Sequence, residues 1–350
     1  MDWHRSMKQT PRYYLVNQNS WRDLEPLDTV VGCKTTRDIE SELRESAQLT
    51  FDGQLVGEFW VRCYLDCEQD GRVERVPIGT WLVQTPTRKM DGRVSEVNAV
   101  AYSPLHVLRE ERVPVLWHAP KGSNCVDMAR QVCERFGVAP VIASKANIRL
   151  DRHYIAPNES TALDVARTLA AAAGMEVGVD AMGNVTITPY QSPEALLPTW
   201  TFRDDEKSII EPDVDEELDW YQIPNVCEVI TGTTIGRAVN DDPSNILSTV
   251  SRGRRVVLRI ENPDELKSGA TQELADRVAA KRLSAACSME RTLNIVHGIC
   301  PLKLGECAEV DWRAMDLRML GRVTRQELDM STGVSIRSTI KTESGRWGVQ

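Results

Sequence analysis

The chain is 350 residues long, enough for two or three domains, and its 41% hydrophobic and 27% charged content is that of a folded globular protein. A formal net charge of −9 argues against the broad phosphate-neutralising face of a nucleic-acid binder. No apolar run reaches the roughly 18 residues that span a bilayer, and Met1-Asp2-Trp3-His4-Arg5 lacks the apolar core of a signal peptide, so a cytosol is the expected place of folding.

Residues 1–12 are polar, contain Pro11, and read as an N-terminal arm. Residues 13–105 are expected to form a first antiparallel β domain. Tyr13-Tyr14-Leu15-Val16 is its first strand signal, and the acidic-basic mix at 36–44 reads as a loop or short helix. Residues 59–65 and 73–76 flank Asp70-Gly71, a hairpin signal because both turn positions tolerate positive φ. Residues 79–85 then run out, Met90-Asp91-Gly92 turns, and 93–102 returns with Val97, Ala99 and Ala101 on one face.

At Pro104 the pattern changes. Asn124 caps a predicted helix ending at Phe136, with Val126, Ala129, Cys133 and Phe136 on one stripe and Gly137 as the stop. A second helix over 161–173 turns Leu163, Ala166, Leu169, Ala170 and Ala173 inward, and Gly174 suits a left-handed end. Residues 175–179 and 185–189 make a hairpin across 180–184. From Trp200 the chain is extended again through an acidic passage, where nine of the sixteen residues 204–219 are Asp or Glu. Residues 225–232 read as a strand, and a Gly-, Asn- and Asp-rich loop follows to Asn245. After a short strand at 256–260, Asn262-Pro263 begins a helical passage to about Cys287 with Leu274, Val278 and Ala285 as its seam, and 293–298 is a strand.

The closing stretch repeats an earlier one. Pro301-Leu302-Lys303-Leu304-Gly305 leads through 306–310 to Gly321, which opens a strand to Met330. Ser331-Thr332-Gly333 turns, and 334–341 returns with Val334, Ile336 and Ile340 on one face. Gly321 and Gly333 are twelve residues apart, Gly79 and Gly92 thirteen. Matched hairpins this far apart predict two copies of one β domain, 13–105 and 200–232 plus 294–346. An α+β insertion, 106–199 plus 233–293, lies between and within them. The expected class is α+β, mainly β, with two similar tube-like antiparallel β barrels.

Each chemical candidate has a plain structural alternative. Asp66-Cys67-Glu68-Gln69-Asp70-Gly71 imitates the start of a calcium loop, yet Pro77 stands at the twelfth position, where the bidentate Glu belongs, so a hairpin turn is expected. Cys125 at a helix start, with His118 or His153 as base, is the one cysteine-nucleophile arrangement, and its alternative is a core thiol. The five histidines have no metal-ligand spacing. Gly232-Thr233-Thr234-Ile235-Gly236 lacks the lysine of a phosphate loop. The acidic passage reads as a solvated face rather than a metal site. The nine cysteines are scattered; Cys63 and Cys67, four apart on a strand, would lie about 13 Å from each other, beyond the roughly 7 Å a disulfide allows. No catalytic, cofactor-binding or metal residue is assigned, and the chain is expected not to be an enzyme.

The order of these elements resembles the hub proteins of phage baseplates and tail tips, the superfamily that includes the hub part of type VI secretion spikes. The resemblance runs through Pro77-Ile78-Gly79-Thr80-Trp81-Leu82-Val83, then Ala162-Leu163-Asp164-Val165-Ala166 to Gly174, then Asp180-Ala181-Met182-Gly183-Asn184-Val185-Thr186-Ile187. It continues through Ile223-Pro224-Asn225-Val226-Cys227-Glu228-Val229 and from Pro301-Leu302-Lys303-Leu304-Gly305 to Leu320-Gly321-Arg322-Val323. It implies a structural virion protein at the distal end of the tail, assembled in the host bacterial cytoplasm. It further implies a homotrimer whose six β domains match a six-fold tail tube above and a three-fold spike or central fibre below. The implied partners are the distal tail or tail tube protein, the tape measure protein and the tip protein, with genomic DNA passing through the channel unbound and no insertion into membranes. A tail-tip cell-wall hydrolase and a receptor-binding tail protein are the alternatives.

Overall fold

The computed structural model describes residues 1–53, 57–91, 94–190, 197–263, 266, 271–330 and 334–344. Gly92 and Gly333, the turn glycines of the two matched hairpins, lie outside them. The described chain is mainly β with a few helices and divides into two compact units. One comprises Met1–Pro212, Ile295–Arg318 and Val323–Ser338; the other comprises Asp213–Asn294, Met319–Arg322 and Thr339–Gln350.

The first unit begins with β1 (Lys8–Val16), β2 (Asp23–Pro26), β3 (Val30–Asp38), β4 (Glu45–Asp52), β5 (Phe59–Gln69), β6 (Arg72–Asp91) and β7 (Val94–Tyr102). They pair in the order β2-β1-β5-β6-β7-β4-β3. The stretch expected as an arm is therefore half strand: Lys8 to Arg12 pair with Glu68 to Tyr64 of β5. Of the stretch expected as a loop or short helix at 36–44, Thr36 to Asp38 instead continue β3, while 39–44 is loop. Asp70 and Gly71 have φ of 51° and 75°, the two left-handed positions that let Gln69 pair with Arg72. The alternation of β5 and β7 buries Val61, Cys63, Leu65, Cys67, Val97, Ala99 and Ala101 around Trp81, Phe51 and Leu49. Each such side chain contributes roughly 1.5–3 kcal/mol on burial.

The α+β part of the same unit holds α1 (Leu105–Glu110), β8 (His118–Ala119), α2 (Cys125–Phe136), β9 (Val141–Ala143), β10 (Tyr154–Ile155), α3 (Ala162–Ala172), β11 (Met175–Val179) and β12 (Val185–Pro189). Asn124 Oδ1 caps α2 by accepting from the amides of Val126 and Asp127. Thr161 and Asp164 form a capping box on α3. The small-residue stripe of α3 is buried, with Ala162, Val165, Ala166 and Ala170 at 0% exposure. That stripe lets α3 approach the β11–β12 hairpin, whose register sets Val179 against Val185.

The later strands are β13 (Trp200–Arg203), β14 (Ile210–Asp219), β15 (Val226–Thr231), β16 (Thr234–Val239), β17 (Val257–Glu261), β18 (Met289–His297), β19 (Cys307–Trp312), β20 (Leu317–Asp329) and β21 (Ser335–Ser344), with helices α4 (Thr249–Arg252) and α5 (Gln272–Ala286). In the second unit β16-β15-β17 is a separate three-stranded sheet, packed with α5 around Cys227, Val229, Ala238, Val278 and Leu283. Two expectations change here. The strand at 226–231 pairs with β16 and β17 rather than with the large sheet, and 234–239 is a strand rather than loop.

The strand series now compare directly. In chain order β1, β3, β4, β5, β6, β7 pair as β3-β4-β7-β6-β5-β1; in chain order β13, β14, β18, β19, β20, β21 pair as β14-β18-β21-β20-β19-β13. The order is the same. One orientation differs, since β1 runs antiparallel to β5 whereas β13 runs parallel to β19. The two opening glycines also agree in kind. A Cβ on Gly79 would lie 2.2 Å from Trp81, and one on Gly321 would lie 2.7 Å from both Ile340 and the Lys341 carbonyl. Among the described residues no ladder closes the large sheet into a barrel.

Candidate functional site

The cysteine at the start of α2 is built as a core residue. Cys125 is 1% exposed, its amide donates to the Ile148 carbonyl at 2.9 Å, and burial raises its thiol pKa. A nucleophilic thiol needs the opposite shift. His118 lies exposed on β8, and His153 Nδ1 accepts from the Lys121 amide at 3.3 Å. No hydrogen bond joins Cys125 to either histidine among the described residues. All nine cysteines are buried free thiols.

The calcium-like stretch is a hairpin. Asp66 accepts from Arg75 Nε at 2.6 Å and Nη2 at 2.9 Å, and Arg75 holds its carboxyl below the ordinary range. Asp70 pairs with Arg5 at 3.0 Å. Gly232, at φ 57°, turns β15 into β16, so the glycine pair there serves a hairpin. Among the described residues no cluster of His, Cys, Asp and Glu could hold a metal ion.

Two polar centres were not singled out from the sequence. Arg62, 2% exposed on β5, donates to Asp23 Oδ1 at 2.7 Å, Thr80 Oγ1 at 2.9 Å and the Met182 carbonyl at 3.0 Å. Trp21 Nε1 donates to the same carbonyl at 2.9 Å. The turn of the β11–β12 hairpin is thereby anchored to β5 and to the loop between β1 and β2. The readable signal was an arginine inside the apolar run Phe59-Trp60-Val61-Arg62-Cys63-Tyr64-Leu65, because a buried charge requires several fixed partners. The other centre is His297, 1% exposed, bonded to Ser338 Oγ at 2.8 Å and to the Gly298 carbonyl at 2.7 Å.

What the surface offers is sheet edge. The acidic passage becomes β14, which pairs with β18 and with no second strand among the described residues. Its Glu211, Asp213, Asp215, Glu217 and Asp219 recur at every second position, so they share a face, and all are exposed. Beyond Val83, the last residue paired with β5, β6 is bonded to β7 on one side only among the described residues. Arg88, Lys89 and Met90 are exposed there, Met90 by 68%. The corresponding end of β20 is filled: Arg325 to Asp329 pair with Asp38 to Lys34 of β3. Lys34 and Asp329 approach to 2.8 Å, and Arg325 and Asp38 to 3.6 Å.

No protein-family model matches the chain, and no curated protein does. Solved structures do. The tail protein of Neisseria meningitidis MC58 is similar over 96% of this chain and 98% of its own, at a TM-score of 0.63 and 14% identity. The 43 kDa tail protein of prophage MuSo2 from Shewanella oneidensis covers 95% of this chain and 98% of its own, at 0.66 and 11%. This chain has the phage tail-protein fold. The tail-protein fold extends to secretion spikes: the lidded PdpA–VgrG complex of Francisella matches 97% of this chain with 53% of its own, at 0.60 and 10% identity. At these identities the likeness is one of fold, and it covers nearly every described element.

Proposed function

We propose that the chain is a structural component of a phage-type tail, a homotrimeric hub at the distal end. The observation that carries this reading is the strand order that occurs twice in one chain. Three copies then present six similar β domains to a six-fold tube and a three-fold axis to a spike or central fibre. The first domain is β1 to β7, and the second is β13, β14 and β18 to β21. The insertions are 106–199 and the β15–α5 segment, which pairs within itself. The partners in this reading are the tail tube or distal tail protein, the tape measure protein and the tip protein, with DNA sliding through the ring. The net charge of −9 suits a wall that phosphates do not adhere to. Assembly takes place in the bacterial cytoplasm, and the protein is not an enzyme.

The test is a symmetry-free reconstruction of a tail containing the protein. Three copies around a central channel at the distal end are expected; one or six copies would refute the trimeric hub. A second measurement separates the structural reading from a hydrolase. Cys125→Ser places a hydroxyl in an apolar site and should cost about 1–2 kcal/mol of stability, with assembly and infectivity unchanged. Normal assembly with lost infectivity, or clearing of peptidoglycan that the substitution abolishes, would restore the nucleophile reading.

A further inference from the structure

A cavity of about 340 Å³ lies beside β13, within the first unit. That volume is at the lower end of small-molecule sites and suits a single ring. Part of its wall is aromatic. The His4 ring stacks on Trp200, with centroids 4.9 Å apart and planes 17° from parallel, and Trp200 meets Phe202 edge-on at 6.4 Å. Another part is the turn 205–208, which is held in place by three hydrogen bonds. Asp205 Oδ1 accepts from the Lys207 amide at 2.9 Å, the Asp205 carbonyl accepts from the Ser208 amide at 2.9 Å, and the Lys207 carbonyl accepts from His4 Nδ1 at 2.9 Å. A site whose frame is fixed beforehand loses less when a ligand is ordered in it.

Charge and polarity select the ligand. Arg203 and Lys207 line the cavity, both are exposed, and neither forms an ion pair among the described residues. They can hold a carboxylate through charge-assisted hydrogen bonds. Thr199, Thr201 and Asp205 add hydroxyl and carboxylate oxygens to the lining. Because His4 Nδ1 donates to a carbonyl, Nε2 of the neutral ring is an acceptor. The stretch that follows repels long polyanions, since nine of the sixteen residues 204–219 are Asp or Glu. The ligand that fits has one negative charge, hydroxyls for the polar lining, and C–H groups for the negative face of the indole. We propose that this cavity binds a pyranose ring bearing one carboxylate, an acidic sugar of the uronic or sialic class. Arg203 and Lys207 take the carboxylate, and the His4–Trp200 pair lies against the ring. The site goes beyond the hub reading and does not depend on it.

The experiment is a proton NMR titration of the full chain, read on the His4 ring protons, whose signals are identified by their loss in His4→Gln. Three probes separate ring from charge. Methyl glucuronoside has both, methyl glucoside has the ring alone, and benzoate has a carboxylate on a flat ring without hydroxyls. The glucuronoside should shift the His4 signals with a dissociation constant on the order of 1 mM, the range expected for one ring. The glucoside and benzoate should each bind at least about tenfold more weakly. Arg203→Gln with Lys207→Gln should weaken the glucuronoside at least about tenfold and leave the glucoside unchanged. Raising the salt to about 1 M should weaken the glucuronoside alone of the two sugars. Both substituted positions are exposed, so unchanged thermal unfolding of the double variant excludes misfolding. His4 signals unmoved by about 20 mM glucuronoside, well above the expected constant, would overturn the site. Equal binding of glucoside and glucuronoside, or of benzoate and glucuronoside, would overturn the ligand class, and undiminished binding in the double variant would overturn the roles of Arg203 and Lys207.

Discussion

Gly236→Ala should cost about 3 kcal/mol or more, the largest loss expected from adding a single methyl group to this protein. A Cβ at Gly236 would lie 2.2 Å from the Ala275 carbonyl carbon and 2.3 Å from its oxygen, both backbone atoms of α5. No rotamer change relieves a clash with backbone, so helix and strand must separate. The neighbouring residues hold them together. Gln272 Nε2 donates to the Ile235 carbonyl at 2.9 Å, and the Arg237 amide donates to Asp276 Oδ1 at 2.8 Å. Side chains of α5 thus satisfy the outer edge of β16 on both sides of the glycine. Displacing α5 would open the core around Ala275, Val278, Ala279 and Leu283, which are 0–6% exposed. Overpacking typically costs about 1–3 kcal/mol when side chains can yield, and here they cannot. Gly298→Ala is the control, since its nearest new neighbour would be 3.9 Å away; a loss below about 1 kcal/mol is expected there. Denaturant unfolding of both variants decides, and a Gly236→Ala protein as stable as its parent would refute the close approach.

The same site explains what the sequence made legible. The register of β11 with β12, the hairpin at Asp70-Gly71 and the caps at Asn124 and Thr161 are local, and each was readable from residues a few positions apart. The α5 seam was not. Leu274, Val278 and Ala285 were expected to face inward, whereas Ala275, Val278, Ala279 and Leu283 are buried and Ala285 is exposed. Small residues take that face because Gly236 brings a strand against it, a demand that arises from a strand some forty residues earlier. β3 was hidden for a similar reason. Lys34, Arg37 and Asp38 give it the composition of a loop, yet their ladder partners are Asp329, Gln326 and Arg325, nearly three hundred residues away. The strands β6, β7, β20 and β21 were legible because the alternation of each is local. Which strands would be edges was not legible, since edge position belongs to the whole sheet.

Lowering the pH from 6.5 to 4 should remove about 3 kcal/mol of stability through His297 alone. Its ring is 1% exposed, and burial lowers its pKa from the usual 6.5 to about 4. The Gly298 carbonyl can only accept, so Nδ1 carries the proton and Nε2 accepts from the Ser338 hydroxyl, which fixes one neutral tautomer. The Phe202 ring, 4.8 Å away, offers a proton-bearing imidazole no counter-charge. Above the unfolded pKa both states are neutral, and the neutral ring's stability is fully present. Below it the unfolded chain takes up the proton first, so stability falls until the folded pKa near 4 is reached. A shift of this size corresponds to about 3 kcal/mol at 1.36 kcal/mol per unit. Carboxylates such as Asp66, held low by Arg75, lose stability in acid as well, so the contribution is read as a difference. His297→Gln keeps a donor and an acceptor but cannot ionise. Its unfolding free energy, measured from pH 7 to 4, should fall less steeply than the parent's by about 3 kcal/mol in all. Parallel curves for the two proteins would show that His297 stays neutral in both states or gains a partner when charged, and would remove the argument.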